Sequence, residues 1–512
     1  MSRVRLFPVL ALGTFVVGSM VVVGACGHGE PIQQGPPPDG GLPDGGPEDG
    51  GRPDGGAPDG GPPDGGAPDG GAPDGGNDGG VVINFPNVSG WEFFGTQHGG
   101  PQRVNGVTSD PSGNIWVAGG LEGLFLLKPG ESRFHRYTMA DGLRPYGYMP
   151  DGSDPPGTKH LNVLSVAGGP AGSVFVGYEG KPPAAGQYDC ESNWYYEQGR
   201  DPSIYKSGDA DRVTLQSGDR ISVVHYDIFT GPGLIADELE GREKLCTILR
   251  IAYHPASNSV WFGANHGFAW GQANYQGNPR CNGQYECSGV REHTHPAINA
   301  WSSDDERNRI VILLTGDYYG VAPLPNGDVW FGGFNRSTLF GYASNGFDWF
   351  RAGQLVECAT CIANRIDVWP DRVGEPEIPT PSQRVDDVVS DMAALPDGSV
   401  WISSFSNGLA HYTPGRPTEY RQDTIVDPRG YATALEYDAS DQSLWIGYNY
   451  GGIARLKGNV YTPYDYRVFG IDLTQGRTPD IQSDNFGGHR RLLVAFQGGG
   501  GKPGFIGIYT GP

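Results

Sequence analysis

Short apolar runs alternate with turn-forming residues along most of the chain, and one such phrase repeats. Its clearest copy, residues 110–120, reads Asp-Pro-Ser-Gly-Asn-Ile-Trp-Val-Ala-Gly-Gly, which is a tight turn, a strand centred on Trp116 and a glycine stop. Short strands separated by turn signals predict an all-β fold built by repetition. The phrase returns around five further aromatic residues: Phe175, Trp261, Trp330, Trp401 and Trp445.

Each copy of the phrase predicts a unit of four strands. An apolar strand precedes the turn, and two strands follow the aromatic one, the last of them more polar. Such units at intervals of about 40–70 residues predict a β-propeller. We count seven blades, with six or eight as alternatives. The third strand of blade two is left undefined, and the last strands of blades three and four are expected at Ile310–Leu314 and Trp349–Arg351.

The final copy of the repeat, around residues 490–509, is one strand short. Residues 91–96, Trp-Glu-Phe-Phe-Gly-Thr, resemble the fourth strand of blade one at Phe134–Thr138. We therefore expect this N-terminal strand to complete the last blade and close the ring, which removes exposed sheet edges. The aromatic residue at each repeat centre is expected to pack one sheet against the next. These core residues are Trp116, Phe175, Trp261, Trp330, Trp401 and Trp445.

The first copy also resembles a known repeat. Asp110, Gly113 and residues 115–117, followed by Gly-Leu at 123–124 and Asp-Gly-Leu at 141–143, resemble the two-component regulator propeller repeat. The resemblance covers about residues 90–512. It implies a periplasmic sensor propeller, commonly placed ahead of a membrane span and a histidine kinase, and we find neither in this chain. Streptogramin lyases look similar at the repeat level, but we find no lyase-specific constellation.

Residues 1–25 have the layout of a secretion signal. Arg3 and Arg5 precede an apolar run, and the small residues Gly24 and Ala25 lead into Cys26. This ending resembles the bacterial lipoprotein lipobox, which implies cleavage before Cys26 and diacylglycerol on its sulfur. An ordinary signal peptide and an uncleaved anchor are the alternatives. We expect a lipid-anchored, extracytoplasmic protein in the periplasm or at the cell surface.

Residues 26–80 form a low-complexity tract in which Pro-Asp-Gly-Gly recurs about every five residues. It has almost no apolar side chains to bury, so we expect a disordered tether. Calcium binding is the alternative, although one Asp per repeat is few for that ion. The predicted propeller domain is 81–512. The formal net charge is −22, and without the −10 of the tract 26–80 and the +2 of residues 1–25 the remainder carries −14. This acidic balance argues against nucleic acid as a partner.

Six cysteines remain after Cys26, and an even number in an exported protein predicts disulfides. Cys281 and Cys287 would close a short loop, whereas Cys358 and Cys361 favour a structural staple over a redox motif because no thioredoxin-like pattern surrounds them. Sequence alone leaves the pairing open. The candidates are Cys190, Cys246, Cys281, Cys287, Cys358 and Cys361.

All of these cysteines except Cys246 lie in three long insertions, 181–218, 272–309 and 352–384, which are natural places for specificity. The aromatic residues of the first suit carbohydrate or peptide stacking, or they pin the loop: Tyr188, Trp194, Tyr195 and Tyr196.

Few residues carry a chemical signal. His293 and His295, with Glu292 adjacent, would point the same way on a strand and could share a metal, or they are ordinary loop histidines. His160 is expected near the channel opening. Three arginines stand at points of blades one, five and six comparable to that of His160: Arg103, Arg384 and Arg429. They either form a funnel for an anionic ligand or cap strand ends.

No hydrolase, metalloprotease or phosphate-loop motif is found. We predict no cofactor and assign no catalytic residue. The hypothesis that follows is a ligand- or protein-binding, sensor-like module whose partner is an unknown protein, peptide or carbohydrate. The alternatives are a lyase or hydrolase using the histidines, and a structural component of a surface assembly.

Overall fold

The chain divides into two units, Met1–Gly76 and Asn77–Pro512, and every residue described belongs to the second. The computed structural model describes the following residues: 82–149, 152–184, 203, 206–227, 245, 247–265, 267–277, 289–294, 297–301, 309–313, 317–325, 327, 329–333, 336–342, 365–367, 389–405, 408–413, 419–421, 431–450, 452–473 and 476–511. The predicted signal peptide, the tether and Cys26 lie outside them.

Six antiparallel sheets each take four consecutive strands. Blade one contains β2 Gly106–Ser109, β3 Ile115–Ala118, β4 Leu124–Leu127 and β5 His135–Tyr137. Blade two contains β6 Val163–Gly168, β7 Ser173–Tyr178, β8 Ala210–Leu215 and β9 Ile221–Tyr226. Blade three contains β10 Ile248–His254, β11 Ser259–Ala264, β12 Gly267–Gln272 and β13 Val290–Thr294.

The next three blades follow the same order. Blade four contains β16 Gly320–Pro323, β17 Val329–Gly333, β18 Arg336–Tyr342 and β19 Arg365–Asp367. Blade five contains β20 Val389–Ala394, β21 Val400–Ser404, β22 Gly408–Tyr412 and β23 Glu419–Arg421. Blade six contains β24 Ala432–Asp438, β25 Ser443–Tyr448, β26 Ile453–Lys457 and β27 Val460–Tyr464.

A further four-stranded sheet joins the two ends of the propeller. It contains β28 Asp480–Phe486, β29 His489–Phe496, β30 Phe505–Tyr509 and β1 Trp91–Gly95. Strand β1 pairs antiparallel with β30, with Trp91 opposite Tyr509, so the expected closure by the N-terminal strand is present. The described residues thus show this composite sheet beside the six consecutive ones, and a separate hairpin of β14 Ala297–Trp301 and β15 Arg309–Leu313.

The first strand of each sheet contacts the first strand of the next, and the contact of β2 with β28 completes the ring. These first strands line a central channel. Helix is nearly absent from the described part of the chain: one turn of α-helix, Tyr466–Phe469, and three short 3-10 segments, Thr96–His98, Met139–Asp141 and Pro170–Gly172. None of these is long and apolar enough to cross a membrane. The prediction of an all-β propeller is confirmed.

Several outer strands differ from the sequence prediction. The undefined third strand of blade two is β8. The last strand of blade three is β13 rather than Ile310–Leu314. Residues 310–313 of that predicted strand belong to the separate hairpin β14–β15. In blade four the fourth strand is β19 rather than Trp349–Arg351, which lies outside the described residues. Outer strands are polar and bury little, so their sequence pattern is weak.

The repeated phrase folds locally around one carboxylate. Asp110 Oδ1 accepts hydrogen bonds from the backbone N–H of Ser112 at 2.8 Å and of Asn114 at 3.3 Å. Its Oδ2 accepts from the indole Nε1 of Trp116 at 3.0 Å. Gly113 has φ +81°, which a glycine adopts without strain. The turn therefore fixes the tryptophan that fills the blade core.

Five of the six predicted core aromatics are buried in the structure, with exposed fractions between 0% and 8%. They are Trp116, Phe175, Trp261, Trp401 and Trp445. Trp330 is only partly buried, although it packs against the core between blades four and five.

A glycine two residues after the aromatic brings neighbouring blades together. A Cβ at Gly447 would lie 2.7 Å from Thr478 Cγ2, and a Cβ at Gly177 would lie 2.7 Å from Ile248 Cγ2 of blade three. Both distances are shorter than a packed side chain tolerates. The repeat thus encodes the blade-to-blade spacing as well as the blade.

Candidate functional site

Three charged residues from three blades meet inside the channel. Arg250 of β10 places Nη1 3.1 Å from Oδ1 of Asp480 in β28, and Nη2 3.3 Å from Oδ2 of Asp391 in β20. Its Nε donates to the carbonyl of Tyr319 at 3.1 Å. Since the three side chains are between 4% and 15% exposed, the cluster forms a charged plug across the channel.

Backbone groups hold both carboxylates of this plug. Asp391 accepts hydrogen bonds from the N–H of Met392 and of Leu435, each at 2.9 Å. Asp480 accepts from the N–H of Val107 at 3.0 Å. Burial raises the pKa of Asp391 to about 6 and also raises the pKa of Asp480, while Arg250 opposes both shifts. Five blades thus contribute to one buried electrostatic network.

On one side of the plug the channel is cationic. Here a cavity of ≈ 70 Å³ is lined by Arg250, Arg477, Tyr319, Phe405 and Asn105, among others. The side chain of Arg477 makes no hydrogen bond or ion pair to any residue that the structure describes, and its Nε is buried. Burial lowers the pKa of Arg477, and the nearby charges of Arg103 and Arg250 lower it further.

On the other side the channel widens to a cavity of ≈ 560 Å³. Its lining includes the carboxylates of Asp110, Asp391, Glu436 and Asp484. Glu436 accepts hydrogen bonds from Ser483, through its Oγ and through its N–H at 3.1 Å. Burial raises the pKa of Glu436 to about 8. The two ends of the channel therefore differ in chemistry, because one is lined by guanidinium groups and the other mainly by carboxyl groups.

Two of the histidines predicted as ligands, His160 and His293, belong to different blades. His160 Nε2 lies 3.3 Å from Glu179 Oε2, just before β6. His293 lies in β13 opposite Ala269, and His295 is outside the described residues, so the proposed metal pair stays a prediction. Arg103 Nε donates to Asn105 Oδ1 at 3.2 Å, and Asn105 lines the cationic end of the channel. The arginine funnel stays a prediction.

Several other predictions fall outside the residues that the structure describes. They concern the funnel arginines Arg384 and Arg429, the aromatic residues of the first insertion, and the disulfide candidates Cys190, Cys246, Cys281, Cys287, Cys358 and Cys361. That first insertion is shorter than expected, because β8 at Ala210–Leu215 lies within 181–218.

Sequence reasoning missed the plug itself. A usable signal existed, because Arg250, Asp391 and Asp480 each stand in or at the start of the first strand of a repeat, among apolar or small residues. First strands line the axis of a propeller, so a charge there faces the channel. Nothing in the sequence, however, showed which charges would pair.

The fold and its channel define the class, an all-β propeller with a charged axial channel. No protein-family profile matches the chain, and no curated protein does. Among solved structures, the extracellular domain of the hybrid two-component system BT3049 from B. thetaiotaomicron matches at 15% identity and a TM-score of 0.44, over 81% of this chain and 41% of that one. The corresponding domain of BT4673 matches at 11% identity and a TM-score of 0.45, over 82% of this chain and 43% of that one.

Other proteins of this fold match as well. Virginiamycin B lyase from Staphylococcus aureus is 11% identical with a TM-score of 0.44, over 84% of this chain and 100% of that one. YCF48 from Cyanidioschyzon merolae is 10% identical with a TM-score of 0.42, over 82% of this chain and 98% of that one. This chain spans about two fifths of the length of the two-component domains that it matches. The likeness is one of fold alone.

Proposed function

We propose that this protein is a lipid-anchored, extracytoplasmic, seven-bladed propeller that binds a small anionic ligand, without catalysis, as a sensor-like module. The ligand carries a carboxylate or phosphate group that enters the cationic end of the channel and pairs with Arg477. The anchor is the lipid predicted on Cys26, and the tract 26–80 is the tether.

One observation carries the proposal. Arg477 is partly buried at the channel mouth beside Arg250, its Nε is buried, and its guanidinium has no acceptor among the described residues. A guanidinium nitrogen that is removed from water without an acceptor is costly, and the planar fork of the group matches a carboxylate or phosphate. Arg250 is already neutralised by Asp391 and Asp480, so Arg477 is the group left to bind an anion.

The cavity at Arg477 limits what is bound. At ≈ 70 Å³ it admits one small charged group rather than a whole ligand, so the rest must extend out of the mouth. Tyr319 and Phe405, whose rings meet edge to face at 5.5 Å, provide an apolar wall there. The plug of Arg250, Asp391 and Asp480 closes the bottom and makes passage through the channel unfavourable.

The test is calorimetric titration of the full chain with acetate and with inorganic phosphate at low salt. We expect one site, an affinity that falls as salt rises, and loss of at least about tenfold in Arg477→Met. The matched control is Arg467→Met, because the Arg467 side chain is 63% exposed and pairs with Asp465 on the surface. Equal titration by wild type and Arg477→Met, or no titration of the wild type by either anion, would overturn the proposal.

A further inference from the structure

Three metal-ligating side chains converge far from the channel, at the outer edge of blade two. Asp209 immediately precedes β8, His225 lies near the end of β9, and Asp227 immediately follows it. One ligand atom from each lies within 4.8 Å of the other two. Asp209 and Asp227 are fully buried and His225 is 8% exposed.

The antiparallel register of β8 and β9 produces this convergence. Asp211 is directly opposite His225 in the ladder. Residues 209 and 211 share one face because side chains alternate along a strand, and residues 225 and 227 share a face for the same reason. The sheet therefore places Asp209, Asp211, His225 and Asp227 together before any other element is added.

The orientation of the imidazole is set by Asp211. Its Oδ1 lies 3.0 Å from His225 Nδ1, and its Oδ2 accepts hydrogen bonds from the hydroxyl of Tyr178 at 2.6 Å and the N–H of Arg144 at 2.7 Å. Since a carboxylate only accepts, Nδ1 of the ring carries a proton. The second nitrogen, Nε2, is thereby turned toward Asp209, and this carboxylate–histidine arrangement is the one that orients metal-binding histidines.

His225 Nε2 has no hydrogen-bond partner although it is buried. It lies 3.5 Å from Asp209 Oδ2. In the neutral ring this places a nitrogen lone pair against a carboxylate oxygen, which is repulsive unless a cation lies between them. Ligand atoms about 3.4 Å apart are what a tetrahedral ion with bonds of about 2.1 Å requires.

A glycine in the covering segment, residues 144–148, allows it to close over the cluster. The N–H of Tyr148 donates to Asp227 Oδ2 at 3.0 Å. A Cβ at Gly147 would lie 2.5 Å from Asp227 Oδ2 and 2.9 Å from Asp209 Oδ2. Arg144 stacks on the Tyr148 ring at 3.6 Å and completes the cover.

We propose that Asp209, His225 and Asp227 bind one divalent transition metal ion of the zinc class, as a structural site that ties β8, β9 and the covering segment together. One imidazole nitrogen and two carboxylate oxygens suit Zn²⁺ or Mn²⁺, whereas Ca²⁺ takes six to eight oxygen ligands. The site is distinct from the channel and independent of its ligand.

Because the cluster is buried, the metal is expected to enter as the chain folds. The full chain is unfolded in denaturant that contains a chelator, and the chelator and any released metal are then removed. The chain is refolded with ZnCl₂, MnCl₂, CaCl₂ or no metal, and its bound metal and melting temperature are measured. We expect one Zn²⁺ or Mn²⁺ per chain with a higher melting temperature, and no effect of CaCl₂. Refolded chain without bound metal would overturn the proposal and leave a protonated imidazole as the cation in the cluster.

Variants then locate the metal. His225→Gln is expected to abolish binding, and Asp211→Asn, which alters only the group that orients the ring, to weaken it roughly 10–100-fold. His489→Gln, at an exposed position of β29, is the matched control and should bind as wild type. X-ray absorption at the metal edge of the wild type, which needs no variant to fold, should show nitrogen and oxygen ligands. Sulfur ligands would overturn the proposal, because they would place the ion on cysteines instead.

Discussion

Arg250 Nη1 lies 3.1 Å from Asp480 Oδ1, although 230 residues separate them along the chain. The contact spans the channel from blade three to the sheet that closes the ring, and Asp391 of blade five joins it at 3.3 Å. One guanidinium thus binds carboxylates from two other parts of the repeat array. The ion pair of Arg250 and Asp480 therefore links distant blades of the ring across the channel.

Removing one partner of this pair should destabilise the protein strongly. Arg250→Met leaves the buried carboxylates of Asp391 and Asp480 without a counter-charge, a change that costs about 3–5 kcal/mol. Asp480→Asn keeps the ion pair of Arg250 with Asp391 and should cost less. Lys502→Met is the control, because Lys502 and its partner Asp472 are 39% and 51% exposed and such a pair contributes less than about 1 kcal/mol. Thermal denaturation at neutral pH measures both. A melting temperature of Arg250→Met equal to that of Lys502→Met would contradict the role of the pair.

The blade-to-blade glycines give a second prediction. A Cβ at Gly447 would meet Thr478 at 2.7 Å from Cγ2 and 3.0 Å from the carbonyl oxygen, and that oxygen is held by the hydroxyl of Thr433. Gly447→Ala should therefore cost about 1–3 kcal/mol through overpacking. Blade one carries Ala118 at the equivalent position, so Ala118→Gly is the control and should cost only about 0.5–1 kcal/mol. Denaturant titration measures the free energy of unfolding of both variants. A Gly447→Ala variant as stable as wild type would contradict the role of this glycine in the spacing of the blades.

The high pKa of Glu436 predicts a pH dependence of stability. Burial raises this pKa from 4.5 to about 8 in the folded protein. Between these values the folded chain keeps a proton that the unfolded chain has lost, so stability falls as pH rises, by at most about 1.4 kcal/mol per pH unit. Below about pH 4.5 this contribution is fully present.

Glu436→Gln keeps a neutral side chain at every pH and should remove this slope. Denaturant titrations of wild type and variant, from about pH 5 to pH 8, should diverge in favour of the variant as pH rises. Glu92→Gln, at an exposed position of β1, should run parallel to wild type. Parallel curves for Glu436→Gln as well would show that the carboxyl is ionised throughout.

The parts of the fold that the sequence predicted are those with a local cause. The turn of Asp110 and Gly113 and the strand of Trp116 form within a few residues, so their pattern is visible in one phrase. The closing strand β1 was predicted because its phrase matches a strand elsewhere in the repeat. Strands β13 and β19 were not, since long insertions precede them and outer positions impose little pattern.

The candidate sites were hidden for a different reason. Arg250 becomes informative only once Asp391 and Asp480 are known to face it across the channel, and no spacing along the chain reveals that. Asp209, His225 and Asp227 belong to one hairpin, but their meeting depends on the register of β8 and β9, and β8 itself was not predicted. The pair His293 and His295 was noticed because its members are close in sequence, and it stays a prediction because His295 lies outside the described residues.

The ring closure can be tested at Trp91. Its side chain is 7% exposed and its ring meets Phe469 edge to face at 4.9 Å and Tyr509 at 5.0 Å, so it joins β1 to blade six and to β30. Trp91→Ala should cost about 3–5 kcal/mol, the usual range for a buried Trp, whereas Val82→Ala at a 61% exposed position should cost under about 0.5 kcal/mol.

A chain beginning at residue 97 should be affected more strongly than Trp91→Ala. Loss of β1 leaves β30 as an open edge that can pair with another molecule. Light scattering after chromatography should therefore show oligomers of the truncated chain and a monomeric Val82→Ala variant under the same conditions. A truncated chain that stays monomeric and melts like wild type would mean that β1 is an accessory strand rather than the closure of the ring.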